Sequence, residues 1–169
     1  MRIVTDRLIL RHARLTDVDD MHAVLSSPVA MTYWSSLPHE TVDQTRDWVT
    51  AMVEAAEAGP SLDFIVEFEG RAIGKAGFWR LPEIGYILHP DVWGRGLARE
   101  ALEAVIRVGF ELGGVETITA DVDPRNAASL GLLERLGFVR TGFARNTWEI
   151  GGVLMDSVYL SLTRPQAVA

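Results

Sequence analysis

The stretch EIGYILHPDVWGRGLAREAL, residues 83–102, decides the fold because its pattern changes from strand to helix across a glycine-containing loop. A strand is predicted first, and a helix with one apolar face is predicted after the loop. Gly94 and Gly96 let the loop backbone approach a ligand closely. The first turn of the helix leaves N–H groups unpaired at the positive end of its dipole. The segment therefore predicts a pyrophosphate site made from backbone, with Arg95 and Arg99 at its rim.

Other phosphate-binding motifs fit these residues less well. A G-x-G-x-x-G dinucleotide motif would need a third small residue where Arg99 stands, and it belongs in an opening βαβ unit. A P-loop ends in Gly-Lys-Ser or Gly-Lys-Thr, and the sequence contains neither. A tight turn without a ligand is a further alternative, because two glycines alone are a weak signal.

The rest of the chain predicts a mixed sheet with helices on its faces. Thr41 and Gln44 form a capping-box sequence for a helix that Gly59-Pro60 ends, and Gly151-Gly152 separates two final strands as a hairpin turn. The predicted order is β-α-α-β-β-β-α-β-α-β-β, which does not alternate strictly as a doubly wound fold does. Strands are predicted at residues 8–13, 64–68, 72–79, 83–88, 117–122, 138–150 and 153–162, and a loose tail at 164–169.

Composition and charge limit the possible functions. The 169 residues fit one domain, 1–169, which is long enough to bury a core. The absence of cysteine removes disulfides, thiolate zinc sites and a cysteine nucleophile. The net charge of −7 argues against nucleic-acid binding and weakly favours a cationic partner. No apolar run reaches the ~18 residues of a membrane span and no signal peptide is visible, so a cytoplasmic protein without a membrane partner is expected.

Two further kinds of catalytic site find no support in the sequence. The four histidines, His12, His22, His39 and His89, have no metal-ligand spacing, and the zinc hydrolase motif is missing around His39. The G-x-S-x-G sequence of a serine hydrolase does not occur either. No metal is therefore predicted, and the histidines are expected to be structural or exposed.

Five segments together resemble the GCN5-related N-acetyltransferase (GNAT) superfamily. They are the W-G-R-G-L-A loop at 93–98, Asn126-Ala127-Ala128-Ser129, the segment 133–138, the opening segment 5–11 and the closing segment 152–162. The opening and closing segments are similar to the branch that includes the ribosomal-protein N-terminal acetyltransferases. The resemblance spans nearly the whole chain, and the combination is specific although each piece alone is not.

The resemblance implies an α/β (α+β) GNAT fold, with a mixed, mostly antiparallel, twisted sheet of about six to seven strands and helices on both faces. It implies acetyl-CoA as co-substrate and an amine as acceptor. In such folds the strand around Tyr86 to Leu88 splays from its neighbour, and the pantetheine lies in the gap beside backbone N–H groups that polarise the thioester carbonyl. Trp93 holds the first place of the family's Q/R-x-x-G-x-G/A loop, a variant common in this branch. The implied cofactor-binding residues are Tyr86, Ile87, Leu88, Gly94, Arg95, Gly96, Leu97, Ala98, Arg99 and Asn126.

The resemblance also suggests which side chains act in catalysis. The attacking amine must lose its proton, so a carboxylate base is expected, acting directly or through water. Glu83 is the first candidate, because many superfamily members carry a working carboxylate at this place, and Glu149 is the second. Ser129 is the candidate proton donor to the leaving thiolate, with Tyr86 and Tyr159 as alternatives. No enzyme nucleophile is required if the amine and the cofactor bind together.

The acceptor is left open by the sequence. Trp34 lies between two helices that cover the acceptor site in related folds, so it is a candidate for the wall of that site, and Trp93 is expected to fix the cofactor loop. The leading hypothesis is an acetyl-CoA-dependent N-acetyltransferase, monomeric or homodimeric, that acts on a protein N-terminus or a small amine. The alternatives are a module that binds acyl-CoA without turnover and a nucleotide-binding protein.

Overall fold

The computed structural model describes residues 1–165, which form eight strands and four α-helices. The strands are β1 (Arg2–Val4), β2 (Leu8–Arg11), β3 (Asp63–Phe68), β4 (Arg71–Arg80), β5 (Glu83–Leu88), β6 (Thr117–Val122), β7 (Val139–Ile150) and β8 (Val153–Thr163). The helices are α1 (Val18–Leu25), α2 (Val42–Ala58), α3 (Leu97–Glu111) and α4 (Ala127–Arg135). Within this part of the chain the strands form one sheet in the order β1-β2-β3-β4-β5-β6-β8-β7, with β5 and β6 parallel and the other neighbours antiparallel.

The mixed, mostly antiparallel sheet confirms the predicted fold class, with one strand more than expected. That strand, β1, has three residues and pairs with β2 through Ile3 opposite Leu10. Three residues are too few for an alternating pattern to reveal a strand. The predicted tail begins too early, because Arg164 N donates a hydrogen bond to Glu116 O at 2.9 Å. The rest of that predicted tail, residues 166–169, lies outside the described residues.

Two apolar clusters cover opposite faces of the sheet. On one face, α1 and α2 pack through Met21 and Val49 against Ile65 and Ile87. On the other face, α3 and α4 pack against strand residues that alternate with these, namely Phe64, Val66, Ile84 and Leu88. Because side chains alternate along a strand, the odd-numbered residues of β5 face α1 and α2, and the even-numbered residues face α3 and α4.

The capping box predicted for α2 is confirmed. Thr41 Oγ1 accepts a hydrogen bond from Gln44 N at 3.3 Å, and Gln44 Oε1 accepts one from Thr41 N at 3.1 Å. The helix ends before Gly59-Pro60, as predicted. Each helix in residues 1–165 is either too short or too polar to span a bilayer.

The sheet opens between β5 and β6. Among the described residues, Glu83 opposite Thr119 is the one register pair that joins these strands, and Thr119 N donates to Pro82 O at 3.0 Å. Beyond this pair, toward Leu88, the strands separate, as the family resemblance implies. The edge of β5 that faces β6 therefore has no strand partner there, and the site is built around this gap.

Candidate active site

The loop between β5 and α3 has the backbone geometry of an anion-binding site. Gly94 and Gly96 adopt left-handed conformations, with φ of 72° and 77°, which residues with a side chain resist. A Cβ atom added to Gly94 would meet no atom within 4 Å, so the surface is open there. The first hydrogen bond of α3 runs from Glu100 N to Gly96 O at 3.1 Å, so the amides of residues 97–99 have no partner inside the helix. These amides and the positive end of the dipole favour an anion.

Trp93 fixes this loop to the end of β5. Its indole Nε1 donates a hydrogen bond to Leu88 O at 2.8 Å. The side chain is 51% exposed, so the hydrogen bond, rather than burial, holds the loop in place.

The opening segment of the chain clamps the first turn of α3. Arg7 donates from Nη1 to Arg95 O at 2.9 Å and from Nε to Glu100 Oε2 at 2.7 Å. Thr5 Oγ1 donates to Glu100 Oε1 at 2.6 Å. Burial raises the pKa of Glu100, but the hydrogen bonds from Thr5 and Arg7 and the charge of Arg7 outweigh it, so this pKa lies below its ordinary value. From the sequence, segment 5–11 was noted only because it resembles the family. Its role in supporting the loop was not predicted.

The predicted cofactor-binding side chains differ in what they can contact. Ile87 and Leu88 are each 5% exposed and pack on opposite faces of the sheet, so their backbone is what faces the gap. Arg95 and Arg99 are exposed at the loop. The Arg95 guanidinium lies 4.8 Å from the centre of the Phe68 ring, and Arg99 pairs with a glutamate one turn along α3 at 2.8 Å.

A central cavity of about 680 Å³ lies where β5 and β6 separate. Loop residues 94–99 are not part of its lining, so the loop and the cavity are two distinct parts of the site. Trp34, the candidate for the wall of the acceptor site, lines this cavity. The cavity brings together four of the other residues singled out from the sequence, namely Glu83, Tyr86, Asn126 and Ser129.

On the face toward α3 and α4, Tyr86 and Ser129 form a hydrogen-bonded pair. Their hydroxyl oxygens are 2.7 Å apart, and either can donate. Burial raises the pKa of Tyr86 to about 12, although the hydrogen bond with Ser129 acts in the opposite direction. Ser129 N donates to Asn126 Oδ1 at 3.1 Å, so Asn126 caps α4 and fixes the position of Ser129. At neutral pH both hydroxyls keep their protons, and the pair can deliver one to a leaving thiolate.

Glu83 lies on the opposite face of β5, toward α1 and α2. Trp79 Nε1 donates to Glu83 Oε1 at 3.0 Å, and Oε2 makes no hydrogen bond within the described residues, so it can accept a proton. The central cavity contacts both Glu83 and Tyr86, so it passes through the gap from one face of the sheet to the other. A base candidate and a proton-donor candidate therefore lie on opposite sides of the gap.

Asp121 on β6 is a cavity residue that sequence reasoning missed. Trp148 Nε1 donates to Asp121 Oδ2 at 3.0 Å, and both side chains line the cavity. The signal in the sequence was weak, since Asp121 shares the polar face of its strand with Thr117 and Thr119.

Two alternatives considered from the sequence do not reach the cavity. Glu149, the second candidate base, follows Trp148 on β7 and is exposed outside the lining, because neighbouring strand residues face opposite ways. Tyr159, the alternative donor, is 37% exposed opposite Asp121 on the neighbouring strand and is also outside the lining.

A buried ion pair forms another part of the cavity wall. Lys75 is 3% exposed, and its Nζ lies 2.7 Å from Asp63 Oδ1 and 6.0 Å from the centre of the Trp34 ring. The positive charge of Lys75 is therefore already neutralised by Asp63.

The histidines contribute to packing and hydrogen bonding elsewhere. His22 Nδ1 and His39 Nδ1 each lie 2.8 Å from Thr45 Oγ1, and the His12 ring stacks on Phe64. In residues 1–165 no three or more His, Asp or Glu side chains are grouped so that they could hold a metal ion.

The open sheet, the left-handed glycine loop and the cavity through the gap define the class of acetyltransferases with the GNAT fold. Residues 7–139 match the family described as the acetyltransferase (GNAT) domain. The chain belongs to this family and is an N-acetyltransferase, which confirms the family predicted from the sequence. Acetyl-CoA is the acyl donor that this family uses.

Three known proteins show the extent of the similarity. The uncharacterized N-acetyltransferase p20 of Bacillus licheniformis is 32% identical over 96% of this chain and 96% of its own. The [ribosomal protein uS5]-alanine N-acetyltransferase of Escherichia coli is 38% identical over 82 residues, which are 48% of this chain and 42% of that protein. The crystal structure of spermidine N-acetyltransferase from Vibrio cholerae in complex with CoA and spermine has a TM-score of 0.78 and 21% identity, and the match covers 94% of this chain and 96% of that chain. The second relative supports the predicted branch, and the crystal structure shows the same fold.

Proposed function

We propose that this chain transfers the acetyl group of acetyl-CoA to a primary amine, a protein N-terminus or a small amine, by direct attack in a ternary complex. One observation carries the proposal. The central cavity connects Glu83 on one face of the sheet with the Tyr86–Ser129 pair on the other face, through the gap beside β5. A thioester placed in that gap has a base on the side of the amine and a proton donor on the side of the sulfur.

The loop and the β5 edge would hold the cofactor. In this proposal the amides from Gly94 to Ala98 bind the pyrophosphate, and Arg95 and Arg99 add positive charge beside it. The pantetheine lies along residues 86–88, whose backbone N–H groups polarise the thioester carbonyl. Asn126 uses its side-chain oxygen to cap α4, and its NH₂ group stays available for the cofactor arm.

The chemical step needs two protons removed from the amine, one before the attack and one after it, and one proton supplied to the sulfur. A lysine-like amine, with a pKa near ~10.4, is mostly protonated at neutral pH, and Glu83 accepts its proton directly or through water. The neutral nitrogen then attacks the carbonyl carbon, the new C–N bond forms as the C–S bond breaks, and the nitrogen releases its second proton to water. Ser129, hydrogen-bonded to Tyr86, gives its proton to the departing sulfur and regains one from water. The chain supplies no covalent intermediate in this sequence of events.

A glutamate substitution tests this assignment. Glu83→Gln is expected to lower kcat by about 10²–10⁴-fold, the usual contribution of a general base, while CoA affinity stays unchanged. Rates would be followed by CoA release, and products by mass spectrometry, over N-terminal peptides and small amines. The matched control is Glu149→Gln, which removes the same charge outside the cavity and should keep the parent rate. Tight acetyl-CoA binding with no acetylated product from any acceptor would favour the non-catalytic binding module instead.

A further inference from the structure

We infer that Asp121 sets acceptor specificity by binding a second positive charge on the acceptor, so that the preferred substrates are diamines or other amines with two cationic groups. The inference rests on the proposed function and names the substrate class of that same site.

Asp121 and Glu83 lie on the same face of the sheet, on either side of the gap. Glu83 is directly opposite Thr119 in the parallel pair of β5 and β6, and Asp121 follows Thr119 by two residues. Side chains two residues apart on a strand point to the same face, so Asp121 faces α1 and α2 as Glu83 does. Both side chains line the central cavity. An acceptor whose amine is at Glu83 can therefore extend across the gap toward Asp121.

The charges of these two carboxylates are not cancelled by the protein. Two other carboxylates at the cavity each have a cation beside them, and one of these is Asp63, with Lys75 at 2.7 Å. Asp123 likewise accepts hydrogen bonds from Arg125, which hold the pKa of Asp123 below its ordinary value.

Glu83 and Asp121 instead accept hydrogen bonds from indole N–H groups, each at 3.0 Å, and neither belongs to an ion pair within residues 1–165. An indole is neutral, so it orients a carboxylate and leaves its negative charge in place. Asp156 also lines the cavity; it accepts a backbone hydrogen bond from Asn146 N at 2.9 Å, and its charge interacts with that of Arg125. The Glu83 and Asp121 side chains are both half-buried, so a cationic group of the acceptor can reach them and pair with their negative charge.

The space between the carboxylates suits an extended cationic chain. Gly85 follows Glu83 on the same face of β5, and a Cβ atom added there would meet nothing within 4 Å. The floor of the cavity is therefore open at this point. Trp34 and Trp48 line the cavity on the side of α2, and aromatic rings attract ammonium groups as well as alkyl chains.

Pairing at Asp121 would discriminate between one and two charges. An acceptor that lacks the second positive charge loses the attraction to this carboxylate and therefore binds more weakly. The attacking nitrogen must be neutral to react, whereas the second nitrogen must stay protonated to bind. Two carboxylates with separate tasks meet both requirements.

The test compares n-alkylamines with α,ω-diamines of the same chain length, from butyl to octyl, using the purified full chain. At the best length the diamine is expected to have a kcat/KM at least tenfold higher than that of the monoamine. Asp121→Asn keeps an oxygen that can accept from Trp148. It is expected to lower kcat/KM for the diamine by about tenfold to a hundredfold and to change that for the monoamine little. Glu149→Gln, with the same charge change outside the cavity, should leave both unchanged.

A second variant separates orientation from charge. Trp148→Phe leaves the Asp121 charge in place and removes its hydrogen-bond donor, so a smaller loss, confined to the diamine, is expected. Affinity for acetyl-CoA and the thermal unfolding midpoint, measured for each variant, show that the fold and the donor site are intact.

Several results would overturn the inference. Equal losses for the monoamine and the diamine would mean that Asp121 acts on the reaction or the fold, not on a second charge. Equal rates for the two amines in the parent chain would remove the preference itself. Acetylation of N-terminal peptides with no turnover of small amines would overturn this inference and leave the proposed function standing. No acetyl transfer to any acceptor would contradict the proposed function as well.

Discussion

The two ends of the site are built from different parts of the chain. The loop end consists mainly of backbone, with Gly94, Gly96 and the first turn of α3 contributed by one short stretch. The cavity end consists mainly of side chains from six strands, β3 to β8, and from α2 and α4, which meet in space. A backbone site binds what all relatives share, whereas a side-chain site can differ from one relative to the next. Substitutions at the loop should therefore change the binding of CoA, and those in the cavity should change the acceptor or the chemistry.

Gly96→Glu should have the largest effect. The substitution places a side chain at a left-handed residue and a negative charge beside the proposed pyrophosphate site, so we expect CoA affinity to fall by more than about a hundredfold. Calorimetric titration with CoA measures it. Gly70→Glu is the matched control, because Gly70 is also left-handed, with φ of 80° and open space around it, in the turn between β3 and β4. If both variants bind CoA equally well, the pyrophosphate does not bind at this loop.

Ser129→Ala should act on the chemistry and not on either affinity. Removal of the hydroxyl takes away the group placed to protonate the thiolate, and we expect kcat to fall by about a hundredfold. CoA affinity and the KM for the acceptor should change little, which steady-state rates and titration can separate. A variant that keeps the parent kcat would show that Tyr86 or a water molecule protonates the sulfur instead.

The same difference decides how much of the site the sequence could predict. The loop was predictable because its glycines and the helix after it are neighbours in sequence, and their geometry follows from local rules. Glu83 was proposed as the base from the family resemblance, at the start of the strand that leads to the loop, and it lines the cavity. Asp121 was missed because its importance depends on Trp148, which is far away in sequence and reaches it only through the β8–β7 hairpin.

The fold divides along similar lines. The strands 83–88 and 117–122 and the α2 capping box depend on local pattern, and each was predicted at the place where it occurs. The three-residue strand β1 exists through its pairing with β2, which no local pattern reports. The hydrogen bond from Arg7 to Glu100 is likewise a long-range contact. The sequence analysis identified the segment around Arg7 by its resemblance to the family, but it could not predict this contact.

Gly85→Val would sharpen the comparison within the cavity. The added side chain meets open space, and valine is favoured in strands, so the unfolding free energy should stay the same or rise slightly. The methyl groups would occupy part of the proposed acceptor path, and we expect the acceptor KM to rise by about tenfold at unchanged CoA affinity. Gly59→Val is the control, since Gly59 is also extended with open space around it, outside the cavity lining. A parent-like KM would place the acceptor elsewhere.

Tyr86→Phe should have the smallest effect, a change in how the free energy of unfolding depends on pH. It tests whether the Tyr86 hydroxyl, which contacts Ser129, is shielded from water. The pKa of Tyr86 is raised by burial to about 12 in the folded chain, whereas that of an unfolded tyrosine is about 10. The folded state therefore favours the protonated form. This contribution is fully present below pH ~10 and is lost as pH rises toward ~12.

Between pH 8 and pH 11 we expect the parent to lose about 1.4 kcal/mol of unfolding free energy beyond what the Tyr86→Phe variant loses. Urea denaturation of both chains, near pH 8 and again near pH 11, measures the difference, and the other titrating groups cancel because both chains contain them. A difference that does not change with pH would mean that the Tyr86 hydroxyl is in contact with water. The Tyr86–Ser129 pair would then not be shielded from water beside the sulfur, and the thiolate would have to take its proton from solvent.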